Sequence, residues 1–270
     1  MGTRGPETRN TQMSTSAQNL PTAGKYDGVL QIIRYNWSLY ALTFLAAMSC
    51  VAAGELVRNR ASGAIAGLGV TLLCWMAISL FVSHYIYDRS SLYDFRWMLD
   101  TLPQQPSTWV NIHCGLDQSS HLLTSLFPDA KRQMLDIFDP SEMTEPSIAR
   151  ARGSNAAPSK TCAADFRALP SPTGTCDAVF LIFAAHELRN RSSRREFFAE
   201  IARVLSANGT VVMIEHLRDL PNFAAFGPGF LHFQSRQEWI RVAASADLAP
   251  VDEFSITPFV RVFLLRHKND

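Results

Sequence analysis

Hydrophobic and polar positions divide this chain into two unlike parts. Tyr35–Gly54, YNWSLYALTFLAAMSCVAAG, runs 20 residues without an ionised side chain, and Ala61–Tyr87 runs 27 with His84 as its only group titrating near neutrality. A helix of roughly 20 apolar residues crosses the hydrocarbon core of a bilayer. The pattern therefore predicts a transmembrane hairpin within residues 30–88, its helices at about 35–54 and 63–87. Gly, Ala and Ser recur in both runs and suit close helix packing. Tyr35, Trp37, Tyr85 and Tyr87 flank the runs, where aromatic side chains anchor at a membrane interface. Two buried helices of a soluble core are the competing reading. Residues 1–24 are polar and poor in large apolar side chains, so they are expected to be disordered. They do not read as a secretory signal.

From about residue 107 to 270 the period changes. Short apolar runs at 108–113, 132–137, 160–164, 177–183, 210–215 and 259–265 alternate with helical spacing at 118–127, 142–152, 192–205 and 235–246. Strands alternating with helices predict a doubly wound α/β domain with a mainly parallel sheet. Ser206–Thr210, SANGT, is a turn signal between a helix and a strand.

Charge and cysteines narrow the class. A formal net charge of +1 gives no global field to recruit nucleic acid. Five scattered cysteines form no C-x-x-C pair, which favours reduced thiols over a disulfide framework or a cysteine-ligated zinc. No H-x-x-x-H or H-E-x-x-H spacing occurs, so no metal site is expected.

The run CDAVFLIFAAHELRNRSSRREFFAEIARVLSANGTVVMIEH resembles the central part of the class I S-adenosylmethionine-dependent methyltransferases. Asp177 opens the strand, Glu200, Arg203, Val204 and Leu205 close the helix, and Gly209 makes the turn. The resemblance extends from about Trp109 to Arg266 and implies a Rossmann-like domain that binds S-adenosyl-L-methionine. In WVNIHCGLD, Asn111 falls on the family's Asp, His113 and Gly115 on its first two glycines, and Asp117 on the third. The cofactor loop is thus modified, with Asn111, His113, Gly115 and Asp117 as its binding candidates. By the same resemblance Asp136, or its rival Asp139, accepts from the ribose hydroxyls. Asp165 accepts from the adenine amino group, and Phe166 flanks the ring.

In an α/β sheet the carboxyl ends of the strands line the ligand crevice. His186 and Glu187 follow one strand, and Glu215 and His216 end another, so His186, Glu187 and His216 are the catalytic candidates. A histidine beside a carboxylate can take a proton near neutral pH. His232 is a further candidate. Phe223, Phe226, Phe230 and Phe233 suggest an apolar lid or a bilayer-facing surface, with a plain core helix as the competing reading.

The leading expectation is a membrane-tethered methyltransferase acting on a lipophilic small molecule such as a lipid, a quinone-like phenol or a natural-product intermediate. The alternatives are a cyclase or isomerase that reuses the fold, and a non-catalytic membrane adaptor. Four basic residues (Lys25, Arg34, Arg89, Arg96) on the domain side of the hairpin, against Arg58 and Arg60 in the connector, place the domain on the cytoplasmic side.

Overall fold

The computed structural model describes residues 24–57, 61–154 and 161–268. The disorder expected for the first 23 residues, part of the hairpin connector and residue 160 of the third expected strand lie outside them.

Helices are α1 (Asp27–Leu56), α2 (Ser62–His84), α3 (Trp97–Thr101), α4 (Ser120–Leu126), α5 (Pro146–Ser154), α6 (Arg191–Val204), α7 (Leu220–Phe226) and α8 (Arg236–Ala244). Strands are β1 (Thr108–His113), β2 (Lys131–Asp136), β3 (Thr161–Ala163), β4 (Cys176–Ile182), β5 (Leu205–Glu215), β6 (Leu248–Thr257) and β7 (Val260–His267).

The strands form one sheet in the order β3-β2-β1-β4-β5-β7-β6. Pairing is parallel from β3 to β5, while β7 runs antiparallel to β5 and to β6. Helices cover both faces, so the central strands must be apolar on both. In β1, every residue from Trp109 to His113 is buried. One core layer gathers Ile112, Leu181, Phe197 and Phe198, and the other gathers Trp109, Phe180, Val212 and Leu264. In α6, Arg194, Phe197, Phe198, Ile201 and Val204 are buried at helical spacing and form its inward stripe.

Two local features depart from the sequence reading. The edge strand β6 is absent from it, because β6 carries Pro250 and is largely exposed, so its apolar alternation is weak. SANGT is not a plain turn ahead of the strand. β5 starts at Leu205, and the register jumps from Cys176↔Leu205 to Ala178↔Thr210. A Cβ on Gly209 would sit 2.8 Å from the Cys176 carbonyl oxygen, so only glycine allows that approach.

The strand order reverses between β1 and β4, and a ligand crevice opens beyond the carboxyl ends of strands at such a point. The hairpin closes over it. α1 and α2 pack through small residues; a Cβ on Gly69 would lie 2.5 Å from the Ala47 carbonyl oxygen. Asp88, in the π-helical turn Tyr85–Arg89 that ends α2, accepts from the backbone N–H groups of Gly28 (2.6 Å) and Val29 (3.1 Å). These are first-turn donors of α1, which have no partner within the helix. α1 kinks at Asn36, and beside the kink Arg150 of α5 donates to the Tyr35 carbonyl (2.6 Å) and Ser38 Oγ (2.8 Å). On the other side Trp75 Nε1 donates to the Ala224 carbonyl of α7 (2.8 Å).

The Asp88 contact yields an expectation. Asp88→Ala should cost about 1 kcal/mol, the usual loss for a helix cap. Thermal unfolding of the detergent-solubilised chain reads this as a lowered Tm, and an unchanged Tm would show that Asp88 does not hold the hairpin.

Candidate functional site

A cavity of about 1030 Å³ lies between the carboxyl edge of the sheet and the base of the hairpin. Its floor is the loop after β1 and the segment after β4. Its roof is α1, α2 and the π-helical turn, through Gln31, Asn36, Tyr40, Ser83 and Tyr87.

The loop after β1 is built from side chains where its relatives in pattern use glycines. Gly115 keeps a φ of +99°, which favours glycine, and a side chain there would collide with Arg152. The Gly115 N–H donates to His113 Nδ1 (3.0 Å), so the imidazole proton sits on Nε2, 3.7 Å from Asp117 Oδ2. Burial holds the His113 pKa down, opposed by the charges of Asp117 and Asp136. Asp117 Oδ1 accepts from the N–H groups of Ser119 (3.2 Å) and Ser120 (2.9 Å) at the start of α4. Asn111 is fully buried and donates to Ser119 Oγ (2.9 Å) and Ser120 Oγ (2.8 Å). Its side chain holds the loop from behind and does not line the cavity.

After β4 the backbone turns sharply at Phe183, a non-glycine residue with φ of +52°. Such strain persists only where the surroundings enforce it. The turn delivers Ala185–Glu187 as a short 3₁₀ segment at the cavity floor. Glu215, fully buried at the end of β5, takes the N–H groups of Ala185 (3.0 Å) and His186 (3.2 Å) on Oε1. Its Oε2 lies 2.7 Å from His186 Nδ1. With Nδ1 committed to the carboxylate, Nε2 is the ring atom left for chemistry. Burial alone would lower the His186 pKa, but the charge and hydrogen bond of Glu215, joined by the charge of Glu187, outweigh it and push the value up to about 9. Burial raises the Glu187 carboxyl, and its Oε2 has no hydrogen-bond partner among the described residues.

His216 is placed differently. Its Nδ1 donates to the Phe259 carbonyl (2.8 Å), so Nε2 accepts from the Tyr87 hydroxyl (2.8 Å). Burial, helped by the His186 charge, lowers its pKa to about 4. It is stacked between Phe183 and Phe233, each with ring centroids 4.8 Å away. This neutral imidazole fixes the hairpin to the domain. His232 is neutral as well, its pKa driven down to about 2 by burial and by the charges of His186 and Arg189.

His113, Gly115, Asp117, His186, Glu187 and His216 therefore face one cavity, while Asn111, Asp136, Asp165 and Phe166 do not. Asp136 ends β2 opposite His113 and pairs with Arg152 (2.6 Å). Asp139 and Asp165 both lie near Arg167, at 3.5 and 3.9 Å. Phe166 is buried, with the Arg167 guanidinium 4.0 Å from its ring centroid. Glu215 is the central residue that sequence reading placed only on the rim. Its one signal is an acid closing the apolar run VVMI. The structure also gathers His186, Glu187 and His232, with ligand-type atoms within 4.8 Å of one another, a cluster that chain spacing does not reveal. The Arg189 guanidinium, 2.5 Å from His232 Nδ1, sets a fixed positive charge against a cation there.

Residues 114–213 match the sequence profile of the family described as methyltransferase domain. No curated protein sequence matches the chain. Among solved structures, the mitomycin 7-O-methyltransferase MmcR is 15% identical, aligns over 90% of this chain and 73% of its own, and gives a TM-score of 0.53. The pyocyanin biosynthetic protein PhzM is 16% identical over 93% of this chain and 77% of its own, with a TM-score of 0.52. A SAM-dependent methyltransferase from Aquifex aeolicus is 15% identical over 65% of this chain and 90% of its own, with a TM-score of 0.50. At these identities the likeness is one of fold. The profile match runs from the loop after β1 into β5 and includes β2, β3 and β4. This chain therefore has the Rossmann-like methyltransferase fold, with the methyltransferase-domain profile matching across residues 114–213.

Proposed function

We propose that this protein is a membrane-attached methyltransferase that acts on a lipophilic small-molecule acceptor. His186 takes the acceptor's proton and Glu215 positions His186. The observation that carries this reading is His186, held from behind by the buried Glu215, on the wall of a cavity whose outer wall is an apolar hairpin.

The residues at the floor suit the cationic half of the cofactor. Asp117 Oδ2 and Glu187 Oε2 are buried, have no hydrogen-bond partner among the described residues and belong to residues that line the cavity. Buried polar atoms of this kind ordinarily have a hydrogen-bond partner; an ammonium would supply one, and a sulfonium would balance carboxylate charge without donating. When bound, S-adenosylmethionine brings an electrophilic methyl group; the protein's task is to orient the acceptor and remove its proton. Glu215 holds the imidazole so that Nε2 points away from the carboxylate. Glu187 sets a second carboxyl beside the cavity, its proton affinity raised by burial.

The hairpin supports a membrane setting. The 18-residue windows of α1 and of Ser62–Arg89 have mean hydropathies of 1.6 and 2.2, with only 6% and 11% of their residues buried. Helices of a soluble core are mostly buried, and these expose Trp37, Leu42, Leu45, Leu68 and Phe81 by more than half. Leu220, Phe223 and Leu231, in α7 and the 3₁₀ segment Gly227–His232 after it, are exposed too, and Phe223 packs edge-on against Trp75 of α2. A bilayer would cover both surfaces and deliver an apolar acceptor beside the cavity. The excess of basic residues at the domain end of the hairpin supports a cytoplasmic domain.

A second reading, reuse of the fold for cyclisation or isomerisation without methyl transfer, draws support from Arg152, whose guanidinium occupies the carboxylate expected to hold the ribose.

Three outcomes test the proposal. Carbonate washing should leave the chain in the membrane pellet, and its release into the supernatant would refute insertion. With tritium-labelled S-adenosylmethionine and a membrane lipid extract, His186→Asn should lower label incorporation by about 10²–10⁴-fold; undiminished incorporation removes His186 from the chemistry. Lastly, the raised His186 pKa fixes the sign of two pH effects. Methyl transfer should climb as pH rises toward about 9, where Nε2 loses its proton. The stability from the His186–Glu215 pair, full below the ordinary value of 6.5, should fade as pH rises through about 9. Initial rates and Tm across that window check both, and a rate that falls instead would exclude His186 as the proton acceptor.

A further inference from the structure

The carboxylates that the family resemblance assigns to the adenosyl half of the cofactor are all engaged by arginines of this chain. Arg152 Nη1 lies 2.6 Å from Asp136 Oδ2 and 3.3 Å from the Cys114 carbonyl. Its guanidinium carbon stands 4.1 Å from the centroid of the Phe138 ring, and its side chain fills the space over Gly115. Arg167 repeats the pattern, close to Asp139 and Asp165 and stacked on Phe166. A guanidinium is flat, donates hydrogen bonds and stacks on aromatic faces. A nucleoside presents the same features: hydroxyl donors for a carboxylate and a planar ring for an aromatic face.

We infer that Arg152 is a latch on the adenosyl side of the cofactor site, standing where the ribose must go, so that cofactor binding requires its guanidinium to leave Asp136. This rests on the reading of Asp136 as the ribose acid. Two features mark Arg152 as the movable partner. It is about one-third exposed whereas Asp136 is only 11% exposed, so the arginine can swing to solvent and the carboxylate cannot. Among the described residues its other side-chain hydrogen bond goes to a single carbonyl, at 3.3 Å.

The latch also has a lever. Arg150, two residues earlier on α5, grips α1 at the Asn36 kink through the Tyr35 carbonyl and Ser38 Oγ. One nine-residue helix therefore joins the seat of the hairpin to the ribose carboxylate.

Calorimetric titration of S-adenosylhomocysteine into the full detergent-solubilised chain tests the latch. Removing an ion pair of this exposure should tighten binding about fivefold, so Arg152→Ala and Arg152→Gln should both bind more tightly than the unaltered chain. Adding Asp136→Asn to Arg152→Ala should abolish that gain, which shows that it runs through Asp136. Equal or weaker binding by both arginine variants, with Tm values matching the parent, would overturn the latch and make Arg152 a bystander or a ligand. Absence of binding in every variant, all of them folded, would instead overturn the assignment of the cofactor site on which the latch depends.

Discussion

The buried carboxylate of Glu215 is the constraint on which the site depends. An ionised group with no exposure must have its charge answered, because leaving it alone in an apolar core costs several kcal/mol. Glu215 answers it with two backbone N–H groups and one imidazole, all from Ala185 and His186. The charge of β5 thus dictates where the chain leaving β4 must turn, and the strain at Phe183 is one result. Because the same carboxylate raises the affinity of His186 for a proton, architecture and reactivity are set by a single contact.

Much of this architecture is legible in the sequence because its signals are local. The two uncharged runs announce the hairpin, although α1 begins at Asp27, well before the uncharged stretch, because the Asp88 carboxylate can cap it there. The apolar blocks around Val110, Val179 and Val211 mark strands buried on both faces. The cofactor loop is legible as to place but not as to wiring. Asn111 and Asp117 look like ligands in a linear reading, yet Asn111 and one oxygen of Asp117 are spent on holding Ser119 and Ser120. What stays hidden depends on pairs far apart in the chain. Arg152 and Asp136 are 16 residues apart, Glu215 and His186 are 29, and Tyr87 and His216 are 129. No local period reports such meetings; they follow from the strand order alone.

The roof of the cavity has a bearing on how the molecule can be divided. Tyr87 satisfies the buried Nε2 of His216, Tyr93 donates to Gln118 (2.6 Å), and Gln118 also bonds Gln31 of α1. The hairpin is therefore not a leash that could be cut away to free a water-soluble enzyme. Trimming the chain just beyond Arg89 would keep every strand of the sheet but unroof the chamber, strand an imidazole without its hydroxyl and turn a closed reaction vessel into an open dish. In this protein the apolar hairpin and the roof of the cavity are the same piece of polypeptide.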